Sequence, residues 1–175
     1  SVQTVTEAAT ATITTANEIR IRIPASFNMT WDPTVTTITR GGTASTKVSA
    51  TLLAYEDGNR TAVVDVTTNF TASQTLTITG LKFTNFTAIS AADNLELVVV
   101  GAAGATTDED DKTITIAAGA ILSSAANQSF VVGQAATTAS VQTVTEAATA
   151  TITTANEIRI RIPATFNMTW DTSVT

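Results

Sequence analysis

The sequence predicts an all-β fold, an antiparallel β-sandwich, carried in a unit of 139 residues that is followed by a partial second copy. Three observations predict it. Apolar residues recur at every second position, as in "EIRIRI" at 18–23, where Ile19, Ile21 and Ile23 alternate with Glu18, Arg20 and Arg22; that period belongs to a strand with one buried and one wet face. Threonine dominates the composition, at 39 of 175 residues, and its branched Cβ suits a pleated surface. Turn chemistry separates the alternating segments at intervals of about 8 to 14 residues with no helical period between them, the spacing of a sandwich.

Taken in order, "ATATITT" at 9–15 alternates weakly and "EIRIRI" strictly, up to Pro24. Phe27, Met29 and Trp31 then continue a period-two stripe into the "WDP" turn, so this segment anchors one end of the core. Strands are expected at 34–39, 47–55, 60–66, 74–83, 94–100 and 112–116, with a further one at 129–132. Gly41-Gly42, "EDGN" at 56–59 and "TNFTAS" at 68–73 are the separators, each rich in residues that tolerate turn backbone. Asp32 and Asp171 read as turn residues whose carboxylates accept backbone N–H groups.

Residues 1–36 and 140–175 align without gaps at an offset of 139, and only three pairs differ: Ser26/Thr165, Pro33/Thr172 and Thr34/Ser173. A repeat of this length implies whole-domain units in tandem. The expected organisation is a complete repeat at 1–139, with a small-residue linker at about 133–139, and the first strands of the next repeat at 140–175. The chain therefore reads as a segment of something longer.

There is no Cys and no His, which excludes thiolate and imidazole metal sites and His-activated nucleophiles. No pair of carboxylates is placed for glycoside cleavage, and the expectation is that the chain is not an enzyme. Net charge is −6 with a pI near 4.4 and the nine Lys and Arg are scattered, so nucleic acid is not an expected partner. The apolar run at 95–105 is shorter than the roughly 18 residues that span a bilayer, and no membrane span is expected in this segment.

Three sets of residues carry chemistry. Asp108, Glu109, Asp110 and Asp111 form an acidic run, expected in a loop, of the oxygen-rich kind that calcium takes; the alternative is a solvated turn. Asn28, Asn59, Asn69, Asn85, Asn127 and Asn167 each stand in N-x-Ser/Thr and are candidate glycosylation sites. Ile158, Ile160, Ile162, Phe166, Met168 and Trp170 repeat the apolar stripe in the partial copy. A few strands cannot bury such a face alone, so assembly with copies of the chain or adjacent repeats is expected there.

The near-identical "VQTVTEAATATITTANEIRIRIPA" segments at 2–25 and 141–164, the Cys-free Thr/Ala/Val composition and "LTITGLKFTNFTAISAADNLELVV" at 76–99 give a chain that resembles the tandem immunoglobulin-like or cohesin-like β-sandwich repeats of large prokaryotic surface proteins: adhesins, S-layer-like proteins and fibre subunits. The resemblance implies an immunoglobulin-like or jelly-roll arrangement, an extracellular or cell-surface location, and a structural module that builds a filament, sheath or surface layer. The alternative it leaves is an adhesin or carbohydrate-binding sandwich with its ligand on the loops.

Overall fold

The computed structural model describes residues 2–99, 104, 106–147, 150–155 and 157–173, and divides into two compact units, Ser1–Ile116 and Ala117–Thr175.

Among its described residues the first unit holds ten strands: β1 (Gln3–Thr6), β2 (Ile19–Arg22), β3 (Thr30–Trp31), β4 (Thr39–Gly41), β5 (Val48–Glu56), β6 (Thr61–Val66), β7 (Thr75–Thr79), β8 (Phe83–Thr84), β9 (Ser90–Val98) and β10 (Asp108–Ile116). They form a three-stranded sheet in the order β1-β7-β4, a five-stranded sheet in the order β10-β9-β2-β6-β5, and the β3-β8 pair. Every pairing is antiparallel. The fold is thus all-β with open antiparallel sheets, an arrangement compatible with a β-sandwich.

A single apolar cluster draws on both larger sheets. Val5, Leu76 and Ile78 enter it from β1 and β7, while Ile19, Ile21, Val64 and Leu95 enter from β2, β6 and β9. The period-two stripe behaves as its spacing requires: Phe27, Met29 and Trp31 are buried in the same cluster. Trp31 stacks on Phe83 with ring centroids 4.5 Å apart and donates its indole N–H to the Ile21 carbonyl at 3.1 Å. The polar atom of the largest core side chain is therefore satisfied. Arg60 holds the same segment from outside, donating to the carbonyls of Phe27 (3.0 Å), Met29 and Pro24.

The strands expected at 47–55, 60–66 and 74–83 appear as β5, β6 and β7 with β8. The "EDGN" turn joins β5 to β6 through three consecutive positive φ angles at Asp57, Gly58 and Asn59. Four expectations are corrected. The 9–15 segment is a carboxylate-organised loop with an isolated bridge from Thr14 to Asn17. Of 34–39, Thr39 enters β4, while Thr37 makes an isolated antiparallel bridge with Thr51 of β5, flanked by the bonds Ile38 N–H to Ala50 carbonyl and Leu52 N–H to Thr36 carbonyl. The acidic run lies within β10, not in a loop. Residues 129–132 end in a turn: Gln134 N–H bonds the Val131 carbonyl, the Gln134 side chain returns to Val131 N–H, and Gly133 has φ +80°.

Among its described residues the second unit has one two-stranded antiparallel ribbon, β11 (Ile121–Ser124) with β12 (Gln142–Thr145). Its connection includes the stretch expected as linker and is pinned by Gln128, which accepts from Ser140 N–H at 2.6 Å and donates to the Thr138 carbonyl at 3.2 Å.

Candidate functional site

In the β11–β12 ribbon the second copy of the repeated sequence pairs with residues 121–124. β12 is the second copy of β1, both reading "QTVT", yet the two strands choose different partners: β1 pairs with β7 and β12 with β11. In an antiparallel ladder the hydrogen-bonding groups of successive residues point to opposite edges, so the edge each copy uses follows from one bond apiece. Glu7 N–H donates to the Gln74 carbonyl at 2.8 Å in register with the β1–β7 ladder. Gln3, Val5 and Glu7 therefore address β7, and Thr4 and Thr6 address the other edge. Ala125 N–H donates to the Val141 carbonyl at 2.9 Å in register with β11–β12. Val141, Thr143 and Thr145 therefore address β11, and they are the counterparts of Val2, Thr4 and Thr6. The two copies of one strand are bonded along opposite edges.

Three local devices recur in both copies. Glu7 accepts from Ala8 N–H (2.9 Å), Thr12 N–H (3.0 Å), Thr12 Oγ1 (3.0 Å) and Ile13 N–H (2.7 Å). Glu146 repeats the arrangement with Ala147, Thr151 and Ile152. Asp32 bonds the N–H and hydroxyl of Thr34, and Asp171 those of Ser173. Phe27 N–H bonds the Pro24 carbonyl, and Phe166 N–H that of Pro163. Side-chain-to-backbone bonds over a few residues need no distant partner, so they form wherever the sequence occurs.

What does not recur is everything that needs distant strands. Ile19–Arg22 is a strand because β6 and β9 flank it; its counterpart at 158–161 has no strand. Trp31 is 1 % exposed and Trp170 48 %; Ile19 is fully buried and Ile158 57 % exposed. Ile160, Phe166 and Met168 are exposed likewise, and Ile162 is half-buried. Arg20 pairs with Glu18 at 3.5 Å and with Glu56 at 2.9 Å, and its counterpart Arg159 pairs in the open with Glu157, the counterpart of Glu18, at 2.8 Å. Side chains of this size gain roughly 1.5–3 kcal/mol each on full burial, and these five are about half exposed, so covering them releases on the order of 5 kcal/mol. An open apolar depression of about 240 Å³, lined in part by Leu122, Val144, Ile152 and Ile160, lies on the same unit.

The carboxylates follow their surroundings. Burial pushes the Glu7 carboxyl up, but the bonds from Ile13, Thr12 and Ala8 outweigh it and hold it below the ordinary range. The bonds from Thr151 and Ile152 hold Glu146 at about 2. Hydrogen bonds from Thr34 and Ser173 lower Asp32 and Asp171. On β10, Asp111 is lowered by its hydrogen bond and ion pair with Lys112. Successive carboxylates on a strand face opposite sides, and among the described residues no group of three or more acidic side chains is gathered to hold a metal ion. Of the candidate glycosylation sites, Asn28, Asn69, Asn85, Asn127 and Asn167 are exposed and Asn59 is half-buried. Asn28 donates its side-chain amide to the Ile89 carbonyl, and Asn69 accepts from Thr15 N–H.

Sequence reasoning missed β1, β11 and β12. "QTVTE" and "AILSS" are short, with few apolar residues; the available signal was the repetition of "QTVT" itself. Among the described residues no helix is long and apolar enough to cross a membrane. No family model, curated protein or solved structure matches the chain.

Proposed function

We propose that the chain is a structural, non-enzymatic extracellular repeat module that builds a filament, sheath or cell-surface layer through strand-mediated contacts between units. The observation that carries this reading is the β11–β12 ribbon. The last strand of one repeat bonds the first strand of the next, along the edge that the first strand's own sheet leaves unused. Each repeat then contributes a strand to its neighbour, and the free edge of the neighbour's first strand is paired at the junction. The uncovered stripe of Ile158, Ile160, Phe166, Met168 and Trp170 fits the same picture. In the first copy the counterpart side chains are buried in one apolar cluster with residues of β6, β7 and β9, and in an array the corresponding segments of a following repeat would cover the second.

The composition suits that role: threonine keeps strand faces wet with few charges, and a core of this size needs no disulfide. Immunogold electron microscopy of the native material, with an antibody raised against the first unit, tests the reading. It expects label along a filament, sheath or surface layer. Label confined to dispersed soluble particles overturns it.

A further inference from the structure

We propose that the open edge of β1 is an acceptor for the Ile121–Ser124 strand of a second copy of this chain. This deepens the structural reading above, which supplies its biological setting. β1 ends its sheet, and Thr4 and Thr6, which direct their main-chain groups away from β7, are exposed. No proline, lysine or bulge protects that edge, the usual devices against strand addition. The occupant is indicated within the chain itself. "VQTVTE" at 141–146 is identical to "VQTVTE" at 2–7, and it carries Ile121–Ser124 on the edge that β1 leaves open.

Transferring the observed register back by the repeat offset pairs Thr6 with Ile121, Val5 with Leu122, Thr4 with Ser123 and Gln3 with Ser124. Directly opposed residues share a face of the sheet. Leu122 therefore comes to lie beside Val5, at the border of the apolar cluster, whereas within its own chain it stays 53 % exposed opposite Val144. Val5 is a core residue backed by β7, while β12 belongs to a two-stranded ribbon, a marginal element alone. A donor that leaves its own β12 for another molecule's β1 keeps the same sequence as partner and gains a backed sheet. Because donor and acceptor are different surfaces, the contact is head to tail and propagates.

Sedimentation equilibrium of the full chain tests the assignment with substitutions of opposite expected sign. Thr4→Pro removes an N–H from the open edge, leaves the bonds to β7 in place, and suits an edge strand. It is expected to weaken self-association at least about tenfold, with the melting midpoint of the first unit unchanged. Thr143→Pro removes the corresponding N–H from β12, frees the donor, and is expected to strengthen self-association at least about tenfold. Leu122→Asp, which leaves the first unit untouched, is expected to weaken association even if Thr4→Pro disturbs folding.

Equal association of wild type, Thr4→Pro and Leu122→Asp overturns the assignment, as does a chain that stays monomeric both as wild type and as Thr143→Pro. The structural reading fails separately. Filamentous native material combined with insensitivity to these substitutions removes the acceptor and keeps the module's role, and opposite shifts combined with dispersed native material do the reverse.

Discussion

Replacing Glu7 by glutamine tests whether a single carboxylate organises the loop between β1 and β2. The carboxylate receives four bonds, from Ala8, Thr12 (twice) and Ile13, and the shortest, 2.7 Å from Ile13 N–H, is buried. A carboxamide has one acceptor oxygen. Whichever way it is turned, its NH₂ faces a backbone N–H, and at least one donor loses its partner. An unsatisfied buried donor costs about 1–3 kcal/mol, and the bonds that survive lose their charge assistance. The expected loss for Glu7→Gln is therefore about 2–3 kcal/mol, a fall in melting midpoint of roughly 10 °C for a unit of this size. The second copy provides the control: Glu146 makes the same bonds on an exposed loop, so Glu146→Gln is expected to leave the main transition unchanged. Thermal unfolding followed by far-ultraviolet circular dichroism and by tryptophan emission reads both. The pH dependence has a definite sign, because the folded state holds the Glu7 carboxyl below its ordinary value of 4.5. Its stabilisation is fully present above about pH 5 and is lost as pH falls through the lowered folded value. Glu7→Gln should thus flatten the acid limb of the stability curve. A variant that melts with the wild type, or that keeps the wild-type acid limb, refutes the reasoning.

Further outcomes follow from the same geometry. Trp31→Ala should cost about 3–5 kcal/mol in denaturant unfolding, whereas Trp170→Ala, the same change at the same sequence position in the exposed copy, should stay within about 0.5 kcal/mol. Arg60→Met leaves three carbonyls of the 24–29 segment without their donor, and is expected to lower stability by about 2 kcal/mol. NMR titration of Glu146 should place its carboxyl near 2; an ordinary value near 4.5 would mean that the exposed loop does not hold its carboxylate bonds in solution. If the module is glycosylated, intact mass of native material should exceed the polypeptide, with peptide mapping finding the sugar at exposed sites such as Asn85 and Asn127 in preference to half-buried Asn59.

Why some of the fold was legible and some was not is visible in the repeat. Where a strand carries its own strict alternation, as at 18–23, the core face was readable, and Ile19, Ile21 and Ile23 are buried as the period requires. Yet the identical residues at 158, 160 and 162 form no strand, because alternation states which face would be buried and not whether a partner is present to bury it. The devices that recur in both copies, Glu7 and Glu146 above all, depend on contacts within six residues, whereas the weak alternation of "ATATITT" at 9–15 carries no sign of the carboxylate that organises it. The acidic run failed in the opposite way. Charge suggested a loop, and pairing with β9 drew Asp108 and Glu109 into a strand. The candidate site was half legible. The repeated apolar stripe marked the partial copy as needing cover, while β11 has no internal signal and is recognisable only through the strand it meets.

Site-resolved amide exchange on the dilute monomeric chain tests the central claim, that one strand sequence is bonded along opposite edges in its two copies. The account predicts alternating protection in opposite phase. In the first copy Val5 exchanges at least about tenfold more slowly than Thr4 and Thr6, and in the second Thr143 and Thr145 exchange at least about tenfold more slowly than Val144. Protection in the same phase in both copies, or none at Thr143 and Thr145, contradicts it.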